Sequence, residues 1–388
     1  MRNGYRIFDA DTHFHPTVES LLPFMDAALR KRTESGEFAT REQRIGWAGE
    51  EMPAPYRHLL RFEDGGGWGE NPPRRLGDAA PNPKAERHFQ TFMGFKTPST
   101  GGADFDADAR VRDMDEEGVD VHLMVPSVPQ GHAEPGVDLG LLSAMHRVLD
   151  DACGRHPDRL TSLIVTTARD VEGSVEEIKR WAGKKWPRGV MVNLPIGKPV
   201  DHPDLHPIWA AANEAGLTVV HHSFAAGYPG YRDLWDNPFV GRTASHPWGA
   251  MRMVAAFLGA GLMDLYPDIK LAVLESGFGW LPFWMKRMED QVVYMGYVAE
   301  GLKHTMTEYM TGGRFHAAIV LHEGPELVRL VSEIMGEHVL MFGSDYPHAE
   351  SRFPNSADIV LEWGKQGVGE GLMRKLMWDN AAACFGQV

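Results

Sequence analysis

The chain opens, after a few polar residues, on a short alternating run. Across residues 7–15 the polar side chains Asp9, Asp11, His13 and His15 occupy every second position. That is the period of a strand, with odd and even positions on opposite faces. From about 16 to 108 the pattern degrades into prolines, Gly65-Gly66-Gly67 and charged pieces such as Arg30-Lys31-Arg32. So long a stretch is not a plain loop in a compact domain. It is expected as an insertion with some short helices, lying over one end of the domain. Trp47, Tyr56, Phe62, Trp68, Phe89, Phe92 and Phe95 give it apolar anchors and argue against disorder throughout.

Beyond 108 the rhythm becomes regular. Helical patterns are expected at 108–117, about 138–155, 171–183, 204–215, 248–265, from Leu281 onward, at 325–336 and at the C-terminus. Between them lie apolar runs at 119–125, 160–166, 189–194, 217–222, 269–275, 317–322 and 339–343. With the first run these make eight strands, each separated from the next by helix, which points to parallel βα units. The fold class is therefore α/β. A closed (β/α)8 TIM barrel is expected, as one domain over 1–388 with the insertion at about 16–108. No internal repeat interrupts the pattern.

Bulk properties change this picture little. Lys plus Arg number 39 against 53 for Asp plus Glu, a formal charge of −14, which disfavours nucleic acid and anionic membrane surfaces as partners. The two cysteines, Cys153 and Cys384, lie far apart in helical patterns and read as buried thiols rather than a disulfide framework. Residues 1–6 lack the apolar core of a signal peptide, and no run of eighteen apolar residues occurs, so a cytoplasmic protein is expected.

The chemistry sits at strand ends. Asp11, His13 and His15 project from one face of the first strand, at the carboxyl end where barrel active sites are assembled. Two imidazoles beside a carboxylate can ligate a divalent cation, although such a pair also occurs as hydrogen-bonded histidines without metal. The fifth strand ends in His221-His222, of which a regular strand turns one inward. The sixth ends in Glu275, for which a structural and a catalytic role weigh about evenly. The eighth leads into Asp345, which could hold a metal and take a proton from its water, or cap the next helix. Gly65-Gly66-Gly67-Trp68-Gly69 lacks the Lys-Ser or Lys-Thr pair of a phosphate loop, and Lys184-Lys185 reads as a solvated helix end.

Four stretches together resemble the amidohydrolase superfamily, in the branch containing aminocarboxymuconate semialdehyde and resorcylate decarboxylases. They are Asp11-Thr12-His13-Phe14-His15, residues 217–222, Glu275-Ser276-Gly277-Phe278-Gly279-Trp280 and Gly343-Ser344-Asp345-Tyr346-Pro347-His348. The terminal run from Asp379 to Gly386 resembles that branch's closing helix. The likeness extends from the first strand to the last helix, the insertion excepted.

The resemblance implies one metal ion held by His13, His15, His222 and Asp345, with His222 selected over His221 by the family's spacing from Leu217-Thr218-Val219. It implies a homodimer. Mixed nitrogen and oxygen ligands suit both zinc and manganese, with zinc ahead on affinity and its liking for imidazole, and a small-molecule substrate is expected. Catalytic roles are expected for Asp345, for Glu275 and for His246, the last matching a histidine found before the sixth helix in relatives or simply capping that helix. Decarboxylases of the branch commonly carry a histidine where this chain has Glu275. That departure favours hydrolysis by a metal-activated water, with Glu275 protonated in a dry environment as acid. Non-oxidative decarboxylation of an aromatic or unsaturated acid is the alternative, and a catalytically inactive barrel serving as a binding protein the third. Phe224, Tyr228, Tyr231 and Trp235, after the fifth strand, suggest a ring-bearing substrate.

Overall fold

A computed structural model describes residues 1–14, 16–43, 57–61, 106–126, 132–195, 197–222, 238–348 and 351–387. Ten strands are numbered in chain order. β1 (Phe8–Phe14), β4 (Val121–Pro126), β5 (Leu160–Thr167), β6 (Pro187–Asn193), β7 (Thr218–His222), β8 (Leu271–Leu274), β9 (Phe315–Ala318) and β10 (Leu340–Met341) form one eight-stranded sheet in that order, and its paired neighbours run parallel. The sheet closes because Ala10 N donates to Phe342 O at 2.9 Å, His13 N to Tyr346 O at 2.6 Å and Asp345 N to Asp11 O at 2.8 Å. Closure removes the exposed edges and aims every strand end at one mouth. The expected TIM barrel is the fold observed.

Local chemistry explains the joints. The first full helix after the insertion, Ala107–Glu117, starts where Asp106 accepts from Asp108 N and Ala109 N, and stops at Gly118, whose φ is 80°. At the other end of the barrel, Thr218 Oγ1 donates to Cys384 O at 2.7 Å and Lys270 Nζ donates to Ala383 O. These bonds come from the start of β7 and from just before β8, so the final helix, Asn380–Phe385, seals the amino-terminal end. Cys153 and Cys384 are buried thiols, as expected.

Three expectations shift. The seventh strand is Phe315–Ala318 rather than 317–322, because β8 pairs Leu271 with Phe315 and partner register overrides the β-branched appeal of Ile319 and Val320. The helix expected at 248–265 divides into Pro238–Gly259 and Leu262–Leu265, broken at Gly261 with φ 67°, and it runs through Pro247 instead of starting after it. His246 is thus inside a helix and caps nothing. Within the insertion the described residues hold two short α-helices, Val18–Leu21 and Ala27–Glu34, a 3-10 turn at Leu22–Phe24, and also an antiparallel pair that the hydrophobic pattern does not announce, β2 (Ala39–Gln43) with β3 (Arg57–Arg61). His15, the insertion aromatics from Trp47 to Phe95, and Phe224, Tyr228, Tyr231 and Trp235 lie outside the described residues. Among the described residues no helix is long and apolar enough to cross a membrane.

Candidate active site

Strand ends β1, β7, β8 and β10 bring five groups together. His13 Nε2 lies 2.9 Å from Asp345 Oδ1, 3.3 Å from Glu275 Oε2 and 3.7 Å from Asp11 Oδ1. His222 Nε2 lies 2.9 Å from the same Glu275 Oε2 and 3.5 Å from Asp11 Oδ1. All five are buried, none more than 9% exposed. His246 reaches the rim, its Nδ1 3.6 Å from Glu275 Oε1. His348 does so from the other side, with Nδ1 2.8 Å from Asp345 Oδ1 and its ring stacked on His13 at a centroid distance of 4.0 Å.

The backbone explains how Glu275 and Asp345 reach inward. Both are non-glycine residues in the left-handed region, with φ of 44° and 63°. Such a conformation costs roughly 1–3 kcal/mol per residue and persists where the surroundings over-determine it. After Glu275, the carboxylate of Glu323 accepts from Phe278 N at 2.9 Å and Gly279 N at 2.7 Å, which pins the turn. Gly277 is required there, since its φ is 70° and a Cβ would meet Glu323 Oε1 at 2.3 Å. Gly343, ahead of Asp345, answers to the seam: a Cβ on it would meet Asp11 Cβ at 2.9 Å.

Electrostatics inside this pocket run against burial. Burial opposes charge on His13, yet Asp345 and Glu275 outweigh it and lift its pKa to about 9. Burial likewise opposes charge on His222, and Glu275 with Asp11 carries it well above the ordinary value. Burial pushes Glu275 up, but His222 and His13 win and hold it well below the usual carboxylate range. The dry environment expected for Glu275 is present, but its effect is reversed: the group is an anion. His221 has no such partners; burial and then the neighbouring His222 and His246 bring it down to about 3. It is a neutral imidazole, and His222 is the one that joins the cluster.

Three carboxylates around two imidazoles form a buried, acidic nest of a kind that suits a cation. Asp345 Oδ2 is buried and, among the described residues, accepts no hydrogen bond. Where no metal is bound, protons on His13 and His222 do the neutralising that a dication would do. Nitrogen and oxygen donors in this mixture suit a divalent first-row ion. Two groupings present atoms close enough to ligate one, His13 with Glu275, Asp345 and His348, and Asp11 with His13 and His222. Of the expected set, His13 and Asp345 fall in the first grouping and His13 and His222 in the second, while His15 lies outside the described residues. Sequence reasoning noted Asp11 as a neighbour and placed Glu275 beyond the ligands; the structure gives both a place in the nest. It passed over His348, although the three-residue step from Asp345 is a turn spacing that could have signalled it.

This charge arrangement has a measurable consequence. His13 has a folded pKa raised from 6.5 to about 9. Its contribution to stability is whole below pH 6.5 and is lost as pH rises through about 9. Chelator-treated protein should therefore melt at a lower temperature at pH 9 than at pH 6.5, and added Mn(II) should flatten the dependence. A melting temperature that holds or rises over that interval would contradict the geometry.

A closed barrel whose carboxyl-end rim gathers imidazoles and carboxylates in this way offers a candidate site for a divalent metal ion. The amidohydrolase family matches residues 10–387, and the chain belongs to that family. It is 22% identical to 2-amino-3-carboxymuconate-6-semialdehyde decarboxylase of Dictyostelium discoideum over 63% of this chain and 67% of that one. It is 23% identical to gamma-resorcylate decarboxylase of Polaromonas sp. over 72% of this chain and 86% of that one. Its fold is similar to that of 5-carboxyvanillate decarboxylase from Novosphingobium aromaticivorans, solved with manganese and 4-hydroxy-3-methoxy-5-nitrobenzoic acid. There the TM-score is 0.66 at 17% identity, covering 99% of this chain and 97% of that one.

Proposed function

We propose that this amidohydrolase-family enzyme is a metal-dependent, non-oxidative decarboxylase of a hydroxylated aromatic carboxylic acid. The observation that carries the reading is the contact between His246 and Glu275. Hydrolysis was expected because a carboxylate replaces the histidine common at the end of the sixth strand in decarboxylases. His246 Nδ1, 3.6 Å from Glu275 Oε1, brings an imidazole to that position from a different element. The objection to decarboxylation loses its force, and the decarboxylases among its relatives then favour this reaction over hydrolysis.

His13, His15, His222 and Asp345 would hold the ion, with Glu275 and Asp11 completing the negative nest. The ion would supply positive charge to orient an anionic substrate and offset the charge that builds during reaction. Manganese is proposed ahead of the zinc first expected, since the added carboxylates make the donor set richer in oxygen. His246, beside the Glu275 carboxylate at 3.6 Å, would carry the proton of a carboxylate–imidazole pair. As the bond from ring to carboxylate breaks, its electron pair stays on the ring carbon, CO2 departs, and the pair delivers its proton to that carbon. His348 steadies Asp345 through their 2.8 Å contact, keeping its carboxylate turned toward His13.

Incubation with 2,6-dihydroxybenzoate, 5-carboxyvanillate and a matched set of aryl amides and lactones, in deuterated and 18O-labelled water, tests the assignment. The expected result is CO2 from one of the acids, one solvent deuteron on the vacated ring carbon and no 18O in the organic product. An amide or lactone opened with 18O incorporation, and no CO2 from any acid, would establish hydrolysis instead.

A further inference from the structure

Both proposed ligand-bearing ends meet at the seam between β1 and β10. β10 pairs over two residues, Leu340–Met341, so Asp345 stands four residues beyond regular strand. Beyond it, single backbone bonds carry the seam, Asp345 N to Asp11 O and His13 N to Tyr346 O. The helix Ala107–Glu117 supplies two side chains at that level. Arg110, 1% exposed, donates through Nη2 to the backbone carbonyl of His13 and through Nη1 to Thr12 Oγ1 at 3.3 Å. Its guanidinium carbon lies 5.0 Å from the centre of the Tyr346 ring, and Nη1 lies 3.2 Å from His122 Nδ1. One turn along the same helix, Asp113 Oδ2 accepts from Tyr346 Oη at 2.5 Å.

Tyr346 follows Asp345 directly, and its carbonyl accepts from His13 N. One helix therefore grips β1 at Thr12 and His13, and grips the β10 extension at the residue after Asp345. Taking a guanidinium out of water costs several kcal/mol. Its planar fork recovers that cost by meeting several acceptors at once, which a lysine's point charge does less well.

We propose that Arg110 is a positioning residue, which with the Tyr346–Asp113 bond fixes His13 relative to Asp345 and so preorganises the metal site. The inference rests on the reading of those two residues as ligands. Groups that orient ligands from behind typically change metal affinity by about 10–100-fold when removed.

Mn(II) titration followed by the EPR signal of unbound ion, alongside melting of the metal-free proteins, tests it with Arg110→Met, Arg110→Lys and Tyr346→Phe. The wild type should bind one Mn(II) per chain. Arg110→Met should bind about 10–100-fold more weakly, Arg110→Lys should recover part of the loss, and Tyr346→Phe should fall between the wild type and Arg110→Met. Saturating Mn(II) should restore much of the turnover of each. A folded Arg110→Met protein with affinity within about twofold of wild type would overturn the positioning role while leaving the metal reading intact. Should that variant not fold, unchanged affinity in both Arg110→Lys and Tyr346→Phe would overturn it equally. A wild type that binds no Mn(II) would instead sink the ligand reading itself.

Discussion

His13→Ala is expected to strip the enzyme of metal and to lower turnover by about three orders of magnitude. Loss of the ion's electrostatic stabilisation is worth several kcal/mol, and roughly 4 kcal/mol corresponds to about 10^3 in rate. His13 is central because it touches three carboxylates at once, Asp345 at 2.9 Å, Glu275 at 3.3 Å and Asp11 at 3.7 Å. Without it these oxygens face one another with one imidazole fewer to balance them. The metal-free variant should therefore also lose its share of the pH-dependent stability described above. Elemental analysis of protein grown with Mn(II), together with single-turnover rates, checks both halves. A variant that retains one equivalent of metal and wild-type turnover would remove His13 from the site.

Glu275→Gln is expected to cost about 10^2–10^4 in kcat, the usual contribution of a positioned acid–base group. The substitution keeps size and backbone preference but removes the charge that His222, His13 and His246 share. Two roles can be separated by adding metal. If Glu275 serves chiefly as a ligand, excess Mn(II) should restore turnover. The expected result is that kcat stays low at saturating Mn(II), and that the limb of the pH–rate profile belonging to the Glu275–His246 pair disappears. Recovery of kcat with metal would assign Glu275 to the ligand set and leave the proton to another group.

Much of this architecture can be read along the chain. Alternation at 7–15 and the apolar runs between helical patterns mark all eight barrel strands, because each is buried on both faces or ends in polar groups at a fixed rim. The run Gly343-Ser344-Asp345-Tyr346-Pro347-His348 is legible as a site for the same reason. Its glycine answers to Asp11 across the seam, and its carboxylate sits at a strand's carboxyl end. Strand parity turns only one of His221 and His222 inward, and it is the family's spacing from Leu217-Thr218-Val219 that selects His222.

Other features depend on contacts between distant segments. β9 begins at Phe315 because β8 imposes its register, a pairing the local propensity of 317–322 does not contain. Pro247 reads as a helix start but sits within Pro238–Gly259, so local pattern does not show that His246 meets Glu275 from inside a helix, although the resemblance marks it as a catalytic candidate. Arg110 looks like one more charge on an amphipathic helix until barrel closure places it behind His13.

His13 and His15 announce by themselves that a metal is plausible and where in the barrel it would lie. Strand period and residue chemistry are local properties, and they determine the fold class and the candidate ligands. What tertiary structure alone decided is the company those ligands keep. Closing the barrel places Glu275 and Asp11 within hydrogen-bonding range or little more of both His13 and His222, and Asp345 beside His13. Coulomb interaction at those separations in a dry pocket, rather than the identity of any one residue, makes Glu275 an anion and His13 a base of pKa about 9.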